Sequence, residues 1–300
     1  MTLTRRRFLT IVSAACLVAP EARAFRWQGS ALGAPAQIVL DHPRAVAITE
    51  AARAEIDRLE DIFSLYRPES ELSQLNASGT LQTPSFEFLD CLAVARHVHA
   101  VTEGRFDPSV QPLWRVLAMS YRQGHAPSRA ELEDARGRIG FDRVRFDAGR
   151  VSLDYGQQLS LNGIAQGYIA DRVARLMRAE GVVDVLIDTG EIVALGSANT
   201  GTGWPVTIAG EANARHLSGR ALATSAPLGT TMDAGGLVGH IIDPRGGGMV
   251  APTIRQVSVS AKSAAMADGL STGLCLAAGR QEAEQLLRKV KDARLESLYV

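Results

Sequence analysis

The chain has 300 residues with 32 acidic and 32 basic side chains, and 46% of its residues are hydrophobic. This composition is typical of a folded globular protein and excludes a disordered, collagen-like or coiled-coil chain as a description of the whole. Zero formal net charge and an aromatic content of 5% argue against a nucleic-acid surface, which needs excess positive charge or a row of stacking rings. We therefore expect no nucleic-acid partner.

Residues 1–24 read as an export signal. Three arginines, Arg5–Arg7, precede an apolar run over 8–18, and small residues follow within 22–24, where signal peptides are cleaved. The apolar run is too short to span a bilayer as a mature helix. An ordinary secretory signal would share these features, but the Phe-Leu pair directly after the arginines favours the twin-arginine route. The sequence thus predicts a periplasmic protein whose mature domain is residues 25–300.

The mature chain contains interleaved amphipathic and β-rich segments. Apolar residues recur at helical spacing in the first long segment, and a hairpin is predicted at 143–154, where two β-rich runs flank an Asp-Ala-Gly turn. The predicted helices are 44–66, 85–102, 163–180, 263–278 and 281–290, and the predicted strands are 182–188, 191–196, 204–209, 220–224, 237–242 and 254–260. Because a strict βαβ alternation is lacking, the sequence predicts an α+β fold, a mixed sheet with packed helices in a single compact unit.

Several common enzyme classes are disfavoured by missing motifs. The chain lacks GxGxxG after a strand, GxxxxGK[ST], HExxH and GxSxG, and its six histidines have no zinc-like spacing with cysteines. The two cysteines of the mature chain, Cys91 and Cys275, form no CxxC pair, so we expect two buried free thiols.

Asp268 and Thr272 are four residues apart in a predicted helix and therefore share one helix face. A carboxylate and a hydroxyl placed together are hard oxygen ligands of the kind that Mg²⁺ and Ca²⁺ prefer. Spacing alone does not establish a metal site, since polar residues near a helix start commonly face solvent.

Two glycines, Gly163 and Gly167, flank the start of the predicted helix 163–180. Small residues let a ligand approach the backbone, and the free N–H groups of a helix start attract phosphate. Close packing of the helix against the sheet explains the same glycines equally well.

The segment 239–247 takes His240 from a short predicted strand into an Asp-Pro-Arg-Gly turn. A histidine titrates near neutral pH, so His240 could act as a base, with Asp243 orienting it or replacing it. Asp-Pro-x-Gly is also an ordinary turn sequence, so the pattern does not by itself establish catalysis. The hydroxyl-rich loop with Thr224 and Ser225 reads equally as a phosphate or ribose site or as a plain polar loop.

Taken together and in this order, seven segments resemble the ApbE family of FAD:protein FMN transferases. Each segment is weakly specific by itself, but all of them in register are specific and cover most of the mature chain. They are FSLYRPESELSQLN (63–76), RFDPSV (105–110), LNGIAQGYIAD (161–171), DVLIDTGEIVALG (184–196), ATSAPLGT (223–230), GHIIDPRGG (239–247) and VSVSAKSAAMADGLSTGLCLAAG (257–279).

The resemblance implies a reaction and a set of residues. Members of this family move FMN from FAD to a Thr or Ser hydroxyl of a partner protein through a phosphoester bond, release AMP, and need a divalent metal. The implied metal ligands are Asp268, Thr272 and the backbone carbonyl of Gly163, with Mg²⁺ as the expected ion and Ca²⁺ or Mn²⁺ as alternatives. His240 is implied as the base, with Asp243 beside it. The implied FAD-binding residues are Tyr66, Phe106, Asp107, Gln166, Thr224, Ser225 and His240.

The chain departs from the family pattern at three positions that bear on FAD affinity rather than on the class of reaction. Gln166 stands where Lys or Glu is usual, and Asn162 stands where Gly is common. Near the start of the mature chain, Leu32 stands where many members have Met.

Two other functions remain open on the sequence. A metal-dependent FAD pyrophosphatase, with water in place of the partner hydroxyl, would use the same site and yield FMN and AMP. A non-catalytic flavin-binding assembly factor is disfavoured, because Asp268 and Thr272 are both present. The export signal and the PLGT loop (227–230) are similar to those of NosX-type members, which accompany nitrous oxide reductase maturation; this implies a membrane-attached acceptor domain facing the periplasm.

Overall fold

The computed structural model describes residues 24–198, 201–246 and 253–300. The predicted export signal lies outside these ranges except for its last residue, and no helix of the described residues is long and apolar enough to cross a membrane. The strands are β1 (Phe25–Ala31), β2 (Ala34–Leu40), β3 (Thr80–Gln82), β4 (Arg145–Phe146), β5 (Arg150–Ser152), β6 (Val185–Asp188), β7 (Ile192–Leu195), β8 (Trp204–Val206), β9 (Arg215–Leu217), β10 (Arg220–Ser225), β11 (Gln256–Ala261) and β12 (Arg294–Tyr299). The α-helices are α1 (Ala45–Phe63), α2 (Glu71–Ser78), α3 (Phe86–Val101), α4 (Gln111–Arg122), α5 (Arg129–Gly137), α6 (Ala165–Ala179), α7 (Ala264–Leu274) and α8 (Arg280–Leu287).

A seven-stranded sheet runs through the described part of the chain in the spatial order β1-β2-β6-β7-β10-β11-β12, with every neighbouring pair antiparallel. Successive side chains of a strand point to opposite faces, so each strand contributes to two cores. Ile187 and Val193 pack with α1, α3 and α6 on one face. Leu186 and Ile192 pack beneath the small hairpin of β8 and β9 on the other face. The sheet therefore separates a layer of helices from this hairpin.

Helix α1 forms because its apolar residues fall on one face at helical spacing. Its buried residues are Ala45, Ile48, Thr49, Ala52, Ile56, Leu59, Ile62 and Phe63. The helix ends at Ser64, whose backbone is extended. Ser64 Oγ accepts hydrogen bonds from the backbone N of Tyr66 at 3.1 Å and of Arg67 at 3.2 Å. These bonds hold the turn that carries Tyr66.

Helices α6 and α7 lie against each other at close range. A Cβ atom on Gly167 would come 2.3 Å from the carbonyl oxygen of Ala264, so no side chain fits there. Asp171, one turn later in α6, accepts hydrogen bonds from the backbone N of Ala264 at 2.8 Å and of Ala265 at 3.1 Å, and so caps α7. This pairing holds Asp268, in the middle of α7, beside the first turn of α6.

The α+β class is confirmed, and most predicted elements are present. The hairpin predicted at 143–154 corresponds to β4 and β5, and both mature cysteines are buried and free. The strand predicted at 237–242 is wrong, because the Asp233 carboxylate accepts hydrogen bonds from the backbone N of Leu237 and Val238 and turns the chain there. Within the described residues, Gly239 forms an isolated bridge to Thr231 in place of a strand.

Several short or edge elements were not predicted. Strands β1 and β12 form the two edges of the main sheet, and both contain charged or exposed residues that hide the alternating pattern. Helices α2 and α5 begin at serine caps but bury few residues, so their periodicity is weak. Burial of one face is the main signal of an element in a sequence, and these elements bury little.

Candidate active site

A cavity opens where the loop before α6, the end of β10 and the middle of α7 meet. Its lining includes every predicted site residue except Asp243. The predicted residues in the lining are Tyr66, Phe106, Asp107, Gly163, Gln166, Thr224, Ser225, His240, Asp268 and Thr272. Three residues that were not predicted as site residues also line it: Arg105, Trp114 and Glu191.

Asp268 contributes a buried carboxylate to this cavity. The residue is 3% exposed, and its Oδ2 accepts a hydrogen bond from the backbone N of Gly167 at 3.1 Å. That N–H belongs to the first turn of α6, where the helix dipole favours negative charge. Burial nevertheless dominates and raises the pKa of Asp268 to about 7. A bound cation would offset this cost.

Thr272 lies one helical turn after Asp268 and contacts the loop before α6. A Cβ atom on Gly163 would come 3.0 Å from Thr272 Oγ1, so the loop backbone passes close to this hydroxyl. Ser225 Oγ lies 3.3 Å from Thr272 Oγ1 and 2.7 Å from Ser271 Oγ, which positions the hydroxyl from the side of the sheet. The structure therefore brings Gly163, from a loop about a hundred residues away, to the face shared by Asp268 and Thr272.

The donors in this part of the cavity fit a hard divalent cation. A carboxylate, a hydroxyl and a backbone oxygen are ligands of the kind that Mg²⁺, Ca²⁺ and Mn²⁺ take. No group of three or more His, Cys, Asp or Glu side chains able to hold a metal occurs in the ranges that the structure describes. A cation here would therefore rely on hydroxyl and backbone oxygens as well as on carboxylates.

Glu191 was missed by the sequence analysis, although it lies in the quoted segment DVLIDTGEIVALG. It is 4% exposed, in the turn between β6 and β7, and it lines the cavity. Burial raises the pKa of Glu191 well above its ordinary value, and the nearby carboxylates of Asp268 and Asp188 raise it further. An acidic residue between two strands that are apolar except for Asp188 was the signal that could have identified it, because a buried charge requires a partner.

His240 enters the cavity with a defined orientation. Its backbone N donates to the carbonyl of Thr230 at 3.0 Å, and its Nδ1 lies 3.1 Å from the same oxygen. A carbonyl only accepts, so Nδ1 carries the proton, and the neutral ring has its lone pair on Nε2. Burial lowers the pKa of His240, although the carbonyls of Thr230 and Pro227 act in the opposite direction. The lowered pKa favours the neutral ring, which can accept a proton.

Asp243 is not among the residues that line the cavity. Its Oδ1 accepts from Nε of Arg245 at 2.9 Å, and its Oδ2 pairs with the second guanidinium nitrogen at 2.7 Å. Burial acts to raise the pKa of Asp243, but the hydrogen bonds and charge of Arg245 outweigh it and lower the pKa. The structure does not bring Asp243 together with the predicted site, and a carboxylate held in this way is a poor base.

Aromatic side chains line one side of the cavity. Phe106 is buried, whereas Tyr66 is 56% exposed, and Trp114 from α4 is half-buried and was not predicted. A second cavity, with a volume of about 570 Å³, shares Tyr66, Trp114 and Asn162 with the first. The rings of Tyr66 and Trp114 therefore line both spaces, where a flat ligand could contact them.

Asp107 and Thr224 line the cavity but also have structural contacts. Asp107 Oδ1 accepts from the backbone N of Ser109 at 2.7 Å, and Asp107 Oδ2 accepts from the backbone N of Phe141 at 3.2 Å. Thr224 Oγ1 lies 2.8 Å from the hydroxyl of Ser258. The carboxylate of Asp107 thus mainly stabilises the loop that presents Phe106.

Arg105 provides a buried cation next to Phe106. One of its terminal nitrogens donates to the carbonyl of Thr102 at 3.1 Å, and the guanidinium also pairs with Glu103 and Glu282. Its Nε is buried, and no partner for it occurs within the described part of the chain. This N–H is available to an acceptor on a ligand.

Comparison with known proteins identifies the family and supports the fold. Residues 32–298 match the model of the ApbE family. The FAD:protein FMN transferase of Salmonella typhimurium is 27% identical over 282 residues, which span 88% of this chain and 78% of that protein. The FAD:protein FMN transferase of Haemophilus influenzae is 28% identical over 260 residues, which span 78% of this chain and 75% of that protein.

Solved structures share the fold. The flavin transferase ApbE from Vibrio cholerae aligns with a TM-score of 0.79 and 24% identity, covering 91% of this chain and 93% of that one. The ApbE protein from Thermotoga maritima aligns with a TM-score of 0.81 and 23% identity, covering 92% of this chain and 96% of that one. Because the family model matches well over half of its residues, this chain belongs to the ApbE family.

Proposed function

We propose that this chain is an FAD:protein FMN transferase, which moves FMN from FAD to a Thr or Ser hydroxyl of an acceptor protein and releases AMP. The observation that supports it most is the meeting of Asp268, Thr272 and Gly163 at the start of α6, in a cavity that also contains His240. Relatives that match most of this chain are FAD:protein FMN transferases.

Asp268, Thr272 and the backbone carbonyl of Gly163 would hold the divalent cation that this reaction needs. Mg²⁺ is the expected ion, and Ca²⁺ or Mn²⁺ would accept the same oxygen donors. When bound, such a cation neutralises charge on a pyrophosphate and on the leaving phosphate. The fit is supported by the buried carboxylate of Asp268, whose charge only a backbone N–H offsets in the described structure.

A dinucleotide would occupy more than the cavity around Asp268. That cavity has a volume of about 140 Å³, whereas pockets for small ligands usually enclose about 300–1,000 Å³. The adjoining cavity, of about 570 Å³, shares Tyr66, Trp114 and Asn162 with it. We therefore expect FAD to extend through both, with its pyrophosphate near the N-terminus of α6 and its flavin ring against the aromatic side chains.

His240 is the proposed base. In the transfer step, the acceptor oxygen forms a bond to the FMN phosphorus as the bond from that phosphorus to the oxygen of AMP breaks. The proton of the acceptor hydroxyl passes to Nε2 of His240, whose lone pair is free because Nδ1 faces the carbonyl of Thr230. Asp243 has no direct part in this scheme, since Arg245 holds it outside the cavity lining.

The proposed place of action is the periplasm, reached by the twin-arginine route. Support comes from the arginine cluster and apolar run within residues 1–24. The acceptor would then be a flavin-binding domain that is attached to the membrane and faces the periplasm.

The test is a transfer assay read by mass. The full chain is incubated with FAD, Mg²⁺ and an acceptor domain that contains a Ser/Thr-Gly-Ala-Ser/Thr-type site, and the intact mass of the acceptor is measured. We expect a gain equal to FMN linked through a phosphoester, with an equal amount of AMP. Asp268→Asn should abolish the gain, because it removes the charged ligand.

The same assay distinguishes the alternatives. Release of FMN and AMP without a modified acceptor would favour hydrolysis of FAD by water. Binding of FAD without turnover in Mg²⁺, Ca²⁺ or Mn²⁺ would contradict an enzymatic role. As controls, we expect the acceptor to stay unmodified in EDTA and to be modified in Mg²⁺.

A further inference from the structure

Glu191 adds a second buried carboxylate to the cavity that contains Asp268. Its Oε2 is buried, and no hydrogen-bond partner for this atom is found in residues 24–198, 201–246 and 253–300. A charge removed from water is costly unless it is paired. The free oxygen therefore points to a ligand that the described protein groups do not supply.

The turn between β6 and β7 holds Glu191 firmly. Gly190 has a φ of +100°, which glycine adopts without strain, and a Cβ atom there would come 2.7 Å from Nε2 of Gln166. Thr189 Oγ1 donates to the carbonyl of Gln166 at 3.2 Å. These contacts tie the turn to the first turn of α6, where Asp268 accepts its backbone hydrogen bond. Two carboxylates thus face one cavity from rigid elements.

We propose that Glu191 is a further acidic residue of the metal site, which holds the same divalent cation as Asp268 directly or through a metal-bound water. The inference rests on the proposed function, because that function requires the cation. Two carboxylates in one cavity repel each other unless positive charge lies between them. A neutral hydrogen-bond donor would satisfy the free oxygen but would leave the paired negative charges, so a cation is the better partner.

This role is tested by measuring Mn²⁺ binding to the full chain in the absence of FAD. Electron paramagnetic resonance of the unbound Mn²⁺ reports how much ion is bound. Glu191→Gln keeps the shape of the side chain and removes its charge, so it should weaken Mn²⁺ binding about 10- to 100-fold. Asp188→Asn is the matched control. Asp188 is the last residue of β6, directly before the same turn; its Oδ1 accepts from the N of Gly190 at 3.0 Å, and it is not among the cavity-lining residues. This control should bind Mn²⁺ nearly as the wild type does.

Thermal unfolding separates a metal-binding role from a structural one. Metal-free Glu191→Gln should unfold at the wild-type temperature or higher, because a buried unpaired charge has been removed. Mn²⁺ should then raise its Tm less than that of the wild type. Wild-type Mn²⁺ affinity in the folded variant would overturn the proposal, as would a lower Tm with unchanged binding.

A second variant covers the case in which Glu191→Gln does not fold. Glu191→Asp retains the charge but withdraws the carboxylate by one methylene, and it should bind Mn²⁺ more weakly than the wild type. Wild-type affinity in that variant would also refute the proposed contact. If the wild type binds Mn²⁺ and transfers FMN while both variants bind equally well, only the role of Glu191 fails. A wild type that neither binds Mn²⁺ nor transfers FMN would refute the proposed function itself.

Discussion

The carboxylate of Asp268 is removed from water and receives a backbone hydrogen bond from Gly167. Its charge therefore destabilises the metal-free protein. Burial raises the pKa of Asp268 to about 7, and this rise measures the free-energy cost of the buried charge. Glu191 and Asp188, whose pKa values are also raised by burial, act in the same direction. A cation bound by Asp268 and Glu191, which line the same cavity, would reverse their part of the effect, so stability and metal binding are linked through these two side chains.

The first prediction at the residue scale concerns the dependence of stability on pH. An acid whose pKa is higher in the folded than in the unfolded chain contributes stability at low pH, and this is lost as the pH rises from 3.8 through about 7. For Asp268 the loss is roughly 4 kcal/mol at most, at about 1.36 kcal/mol per pH unit. In EDTA at pH 8, Asp268→Asn should therefore be more stable than the wild type, as measured by urea unfolding.

The difference between Asp268→Asn and the wild type should shrink as the pH falls toward 4. Asp188→Asn is a graded control, because burial raises the pKa of Asp188 only to about 6. Mg²⁺ should stabilise the wild type and leave Asp268→Asn nearly unaffected. A stability difference that does not change with pH would contradict the assigned titration of Asp268.

The second prediction at this scale concerns His240. Asn has no side-chain base, so His240→Asn should slow FMN transfer about 100-fold or more while FAD binding, followed by flavin fluorescence, is retained. At pH values below the lowered pKa of His240, the wild-type rate should fall because the ring gains a proton. This decrease at low pH should be absent in the variant. His216→Asn, at an exposed position of β9, is the control. Full transfer rate in His240→Asn would remove the assigned role.

Helices α6 and α7 form the structural element on which the site depends. Gly167 donates its backbone N–H to Asp268 and lies against the backbone of Ala264, while Asp171 caps the partner helix. A small residue in α6 is thus required by the neighbouring helix and not by the conformation of α6 itself. The same close approach brings the start of α6 to the carboxylate, where the helix dipole favours an anionic ligand.

The prediction at the element scale is that Gly167→Ala disrupts this pairing. An added Cβ would lie 2.3 Å from the carbonyl oxygen of Ala264, and overpacking of this kind costs about 1–3 kcal/mol or more. We expect a lower Tm together with weaker Mn²⁺ binding, since the first turn of α6 must move away from Asp268.

Gly137→Ala provides the matched control for this substitution. Gly137 is the last residue of α5, and a Cβ there would meet nothing within 4 Å. Its Tm should stay the same or rise slightly, because alanine favours the helix more than glycine does. Equal stability of the two alanine variants would contradict the close packing of α6 and α7.

At the scale of the whole molecule, the cavity is assembled by the antiparallel sheet. Strand β10 carries Thr224 and Ser225 at its end, and the adjacent β6–β7 turn carries Glu191. Helix α7, which follows β11 directly, adds Asp268 and Thr272 from the helical layer. These side chains are far apart in the chain. They meet because antiparallel neighbours place the end of one strand beside the start of the next, at the same end of the sheet.

The sequence by itself determined the fold class, the long amphipathic helices, the central strands and about half of the residues that line the cavity. These features have local signals: helical periodicity in α1, a turn sequence between β4 and β5, and the spacing that puts Asp268 and Thr272 on one face. Residues such as Tyr66 and His240 depended on the order of several family segments, since each segment alone was compatible with an ordinary loop or turn.

Only the tertiary structure decided which polar groups share the cavity. Glu191 and Asp243 show this most clearly: each is an acid near a turn, and the sequence singled out Asp243, whereas Glu191 lines the cavity. Asp243 pairs with Arg245 two residues later, whereas Glu191 is buried and lines the same cavity as Asp268. Burial and long-range proximity set the partner of a charge, and neither quantity is contained in the local pattern of residues.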